Sequence, residues 1–114
     1  MWRLELADEQ RRRSAPTANY IAIIEDGGES HATGVWFPDL PGCFSAGDSL
    51  DEAVINAGEA LDLWATVMAG DSKPMPPPRT LTQLEGDPEI AAEIARYMVA
   101  VIPLHREASR EAAE

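Results

Sequence analysis

The sequence predicts an α+β domain, a small mixed β-sheet with one long helix packed on it. Three observations carry that expectation. Tyr20 to Ile24 is a β-branched and aromatic run closed by Glu25, Asp26, Gly27 and Gly28, a strand followed by a turn. Beyond Ser49, apolar residues recur at spacings of three and four as far as Met68, the period of a helix with one buried face. Between them, Trp36 to Asn56 concentrates the chain's punctuation: Pro38, Pro41, Gly42, Gly47 and Ser49.

In the first strand apolar residues occupy both alternating faces, so it is expected at the centre of the sheet, covered on both sides. A second strand follows at Thr33 to Phe37, with Val35 and Phe37 on one face and Trp36 on the other. The short connection through Glu29, Ser30 and His31 suits an antiparallel hairpin. Pro38 should stop the second strand because it cannot donate to a ladder. Cys43 to Ala46 can form a third.

Ser49, Leu50, Asp51 and Glu52 match a capping box, and both acids suit the positive end of the helix dipole. The helix is predicted over 50–69 with Gly70 as its stop, burying Leu50, Val54, Ala57, Leu61, Trp64 and Met68. Gly58 within it costs about 1 kcal/mol relative to alanine, which suggests close backbone packing. Lys73 to Pro78 must be extended, since each proline disfavours helix at the residue before it. Thr80 to Leu84 reads as a helical turn, and Asp87 with Pro88 opens a helix reaching about Arg96. Tyr97 to Ile102 is a last strand, ended by Pro103. Residues 1–18 read as a flexible extension, residues 19–104 as the domain and residues 105–114 as a short charged tail. The run Arg11, Arg12, Arg13 reads as solvated tail rather than as a nucleic-acid contact.

Length and composition agree with a single folded domain. The chain has 114 residues, 45% hydrophobic and 25% charged, and no apolar run approaches the roughly 20 residues of a membrane span. Cys43 is the only cysteine, so no internal disulfide can form, and a reducing cytoplasmic setting is expected. The net charge is −11, and its distribution is uneven. No Lys or Arg occurs between Ser14 and Ser72, while Glu25, Asp26, Glu29, Asp39, Asp48, Asp51, Glu52, Glu59 and Asp62 all fall there. Such a surface repels phosphate backbones and attracts basic partners.

Glu25, Asp26, Asp39 and Asp48 lie near predicted strand ends, where acid clusters can hold two metal ions for phosphoryl transfer. A nuclease must also hold a polyanion, and the central span offers no cation to do so. Cys43 lacks a histidine or cation in its sequence context to lower its pKa. His31 has no second candidate ligand nearby. Gly27 and Gly28 lead into a strand, where a phosphate loop would need a helix. The sequence therefore predicts a protein-binding module, with no enzyme site, metal or cofactor.

Tyr20 to Ile24, the string Gly34-Val-Trp-Phe-Pro-Asp-Leu-Pro-Gly-Cys, the string Gly47-Asp-Ser-Leu-Asp-Glu-Ala-Val-Ile-Asn-Ala and Glu59-Ala-Leu together resemble the HicB family of antitoxins. The resemblance extends through the proline connector and Asp87-Pro-Glu to Val-Ala-Val-Ile-Pro-Leu, about Asn19 to Leu104. It implies a partial RNase H-like fold and, as partner, HicA, a very small basic toxin that cleaves RNA. It also implies that no direct DNA binding comes from this chain alone, since the family's C-terminal ribbon-helix-helix or helix-turn-helix domain has no counterpart in the ten residues after Leu104. A homodimer is compatible with the reading, and no membrane association is expected. The alternatives are an orphan module of the same fold that binds another basic protein, and a metal-dependent nuclease. Partner contacts are expected at Glu25, Asp26, Asp39 and Asp48 for their charge, and at Trp36 as an aromatic anchor, with packing of Trp36 beneath the last helix as the alternative.

Overall fold

A computed structural model describes residues 18–105. The chain builds β1 (Ala18–Glu25), β2 (Thr33–Trp36), β3 (Phe44–Gly47), α1 (Leu50–Gly70), α2 (Leu81–Glu85), α3 (Pro88–Arg96) and β4 (Met98–Leu104). The strands form one sheet in the order β3-β2-β1-β4. Every pairing is antiparallel, so the sheet is not mixed as expected. The physical reason lies in the return path: after α1 and two short helices the chain re-enters beside β1 from the end where β1 finishes, with Met98 opposite Ile24 and Leu104 opposite Ala18. The expected flexible extension and charged tail lie outside the described residues, apart from Ala18, which begins β1, and His105, whose amide donates to Asp62.

β1 occupies the interior position that its two-faced apolar pattern requires. Tyr20, Ala22 and Ile24 face α1 in the main core, and Ile23 on the opposite face is also fully buried. Pro103 does not end β4, which continues to Leu104. β4 is an edge strand, and there a proline can sit with its donor-less nitrogen turned away from the ladder.

The core lies between the sheet and α1. Ala53, Ala57, Leu61 and Ala65 of the helix meet Val35, Phe37, Leu40, Ile102 and Leu104. Leu50, Val54 and Trp64 flank that line half-buried, so the apolar face is centred on small residues rather than on the large ones. Gly47 shows how close the approach is: a Cβ there would lie 2.5 Å from the Ala53 amide nitrogen. Gly58, expected to mark such packing, has open space where its side chain would be.

Ser49 accepts from the Glu52 amide at 3.1 Å as the N-cap of α1. The reciprocal box is complete at α2, where Thr80 and Gln83 bond each other's backbone amides. Gly70 is still helical and does not stop α1. Ser72 turns the chain with φ of 56°, and the Ser72 and Lys73 amides donate to the Ala69 and Met68 carbonyls, a complete Schellman pattern.

Candidate functional site

The register decides which of the expected contact residues meet. Glu25 lies opposite Gly34, and Gly34 opposite Ala46. Thr33 lies opposite Gly47, the residue before Asp48. Glu25, Asp26 and Asp48 therefore gather at one end of the sheet, joined by Asp51 and Glu52 in the first turn of α1. Asp26 is engaged in its own turn, where one carboxylate oxygen accepts from the Gly28 amide at 2.9 Å and from the Thr33 hydroxyl at 3.3 Å. Arg96, the last residue of α3, is stacked 5.2 Å above the Tyr97 ring.

Asp39 does not join this group. It lies beyond the other end of β2, with its side chain only 6% exposed. Its carboxylate accepts from the Arg79 backbone amide at 2.8 Å and from Arg79 Nε at 2.6 Å. Those bonds fasten the proline connector to the Pro38–Gly42 loop. The Tyr20 hydroxyl adds a second fastening by donating to the Pro76 carbonyl. In a segment without Lys or Arg, this carboxylate is neutralised from 40 residues away in the chain.

Trp36 stands on the sheet face opposite Val35 and Phe37, as its alternation requires. It is half-buried beneath α3, its Nε1–H donating to Glu93 at 2.7 Å. Its ring meets Tyr97 edge-on at 5.3 Å. Ala92, Glu93, Arg96 and Tyr97 line a shallow groove with it. Trp36 thus holds α3 to the sheet, and its cross-strand neighbour Phe44 is the exposed aromatic on that face.

Cys43 is buried at the foot of the loop, and burial pushes its thiol up to about 11. A thiol held neutral in this way is a packing group and a poor nucleophile. Among the described residues, no three His, Cys, Asp or Glu side chains are grouped so as to hold a metal ion. No helix among them is long and apolar enough to cross a membrane.

Helix α1 carries a feature that the residue-by-residue reading missed. Ile55, Leu63 and Val67 are exposed on its outer side. They were legible only as apolar residues falling off the predicted buried face, alongside Asp51, Glu59 and Asp62.

A family model described as the HicB-like antitoxin of bacterial toxin-antitoxin systems matches residues 20–112. The chain belongs to that family. It is 39% identical over 70 residues to an uncharacterised 14.9 kDa protein of the rep-hol intergenic region of Haemophilus phage HP1, covering 61% of this chain and 51% of the phage protein. It is 38% identical over 61 residues to the UPF0150 protein ssr1765 of Synechocystis, covering 51% of this chain and 72% of that one. Among solved structures, the Burkholderia pseudomallei antitoxin HicB superposes with a TM-score of 0.62 at 21% identity, over 77% of this chain and 64% of that one. A chain of the HicA3 and HicB3 toxin-antitoxin complex superposes with a TM-score of 0.59 at 25% identity, over 76% of this chain and 98% of that one. The HicB-like chain therefore has the fold of these antitoxins, and it spans about half the length of the phage relative.

Proposed function

We propose that this chain is an antitoxin that binds and neutralises a small, basic, RNA-cleaving toxin of the HicA type, with the cytoplasm as its working compartment. The observation that carries the reading is the family match over residues 20–112, strengthened by likeness to a chain solved in a HicA3 and HicB3 complex. The charge pattern supports it independently. A span from Ser14 to Ser72 with no Lys or Arg suits a cationic protein and opposes a nucleic acid. Neutralisation on this reading is occlusion: the acidic domain covers the surface with which the toxin holds RNA. Co-expression with a small basic toxin of the HicA type tests it. The expected result is restored growth and a complex that copurifies; toxicity without rescue and without a complex would refute the proposal.

A further inference from the structure

Buried and exposed lines on α1 have the same spacing and lie two residues out of phase. Ala53, Ala57, Leu61 and Ala65 form the buried line. Ile55, Glu59, Leu63 and Val67 form the exposed one, with the three apolar side chains 63%, 65% and 55% accessible. A shift of two residues is a rotation of about 200°, so the exposed line points directly away from the core. From Ile55 to Val67 it extends about 18 Å, a ridge of the kind that seats in the groove of a partner surface. Asp51, Glu52 and Glu59 are exposed on the same side, and α1 contains no Lys or Arg. These acids therefore have no cation at the i+4 positions where a helix normally balances them.

We infer that the Ile55–Val67 ridge of α1 is the seat of the basic partner, which places apolar side chains against Ile55, Leu63 and Val67 and its own Lys or Arg against Asp51, Glu52 and Glu59. The inference rests on the antitoxin reading and adds to it the surface that does the binding. Charge selects the occupant. A second copy of this chain would set the same acids against one another, and like charges across an interface oppose association. A polyanion is repelled. A purely apolar partner would strip water from the acids without compensation. A cationic amphipathic surface satisfies both halves of the ridge.

The test uses the full chain and a small basic toxin of the HicA type, the partner proposed for it. Leu63→Glu removes an apolar anchor but adds charge of the sign that attracts a basic protein. If electrostatics alone governed binding, the variant would bind at least as tightly as the parent. Docking on the ridge predicts a loss of affinity of about tenfold or more. Glu59→Gln should weaken binding by about two- to fivefold and flatten its salt dependence. Phe44→Glu on β3 should leave affinity unchanged, and circular dichroism should show all three variants folded. A loss smaller than about tenfold for Leu63→Glu overturns the inference and leaves the antitoxin reading intact. Failure of the parent chain to bind overturns both. Intact toxin affinity combined with an altered oligomeric state assigns the ridge to a second copy, and combined with altered protease sensitivity of residues 1–17 it assigns the ridge to the chain's own N-terminal segment; either result also overturns the inference.

Discussion

Asp39→Ala should be among the most damaging substitutions outside the apolar core. The Asp39 carboxylate is 6% exposed and receives two donors from Arg79, the backbone amide at 2.8 Å and Nε at 2.6 Å. The amide bond to a charged acceptor is worth about 1.5–2 kcal/mol. The side-chain pair adds only about 0.5–1 kcal/mol, because Arg79 is 40% exposed and solvent screens it. Asp39→Ala removes both, for a loss of about 2–3 kcal/mol. Arg79→Ala keeps the backbone donor and should lose about 0.5–1 kcal/mol. In a domain of this size about 1 kcal/mol moves the midpoint by roughly 5 °C, so Tm should fall about 10–15 °C for the first variant and about 5 °C or less for the second. Thermal unfolding followed by circular dichroism reads both, and proteolysis within 73–79 reads release of the connector. If Arg79→Ala lowers Tm as far as Asp39→Ala, the backbone bond does not hold the connector and the reasoning fails.

Two glycines should respond in opposite directions. Gly47→Ala would drive a Cβ to 2.5 Å from the Ala53 nitrogen and 2.9 Å from its Cα, with α1 unable to retreat, and should cost about 3 kcal/mol or more in urea unfolding. Gly58→Ala meets open space within a helix and should raise stability by about 0.5–1 kcal/mol. Trp36→Phe keeps an aromatic side chain, though a smaller one, and loses the charge-assisted bond to Glu93, a loss of about 1–2 kcal/mol or more by the same unfolding assay. Cys43 should resist alkylation at pH 8 in the folded chain and react readily in denaturant. Burial raises its pKa from 9.0 to about 11, so the folded state holds the proton more tightly than the unfolded one. Its contribution to stability is therefore complete below about pH 9 and disappears as the pH rises through about 11, a loss that Cys43→Ala should abolish in a pH series of melts.

Local signals carried most of the fold. The prolines and glycines of the central stretch, the serine cap and the Asp87-Pro88 start each act within a few residues, and the structure puts strands, turns and helices where those signals fall. What could not be read locally depends on partners distant in sequence. Strand direction in β4 depends on how three helices bring the chain back to β1, which no window of sequence contains. Pro103 reads as a strand stop until β4 is known to be an edge. The buried face of α1 points where the periodicity put it, with Ala57 and Leu61 fully buried and Leu50, Val54 and Trp64 packed against the core, but Ala53 and Ala65 escaped a reading that weights large apolar residues. The close approach of Gly47 on β3 is what requires a small residue at Ala53.

The contact residues divide for the same reason. Charge and position in sequence grouped Asp39 with Glu25, Asp26 and Asp48, but the register sends Asp39 to the opposite end of β2, where a cation from beyond the helix neutralises it. Trp36 has an alternation that fits an anchor, and α3 covers it. Both residues meet internal needs, and a residue already satisfied inside the fold has less to offer a partner. Ile55, Leu63, Val67 and the acids Asp51, Glu52 and Glu59 beside them have the opposite status: exposed apolar area next to unbalanced charge, on a rigid helix whose other side is fully committed to the core. Surface apolar residues scattered singly require no explanation, but three on one ridge of an acid-only helix do. On the proposed antitoxin reading, the unmet requirements of α1 are a stronger guide to the interface than the motif that makes the family recognisable, because that motif is largely consumed in building the loop, the cap and the core.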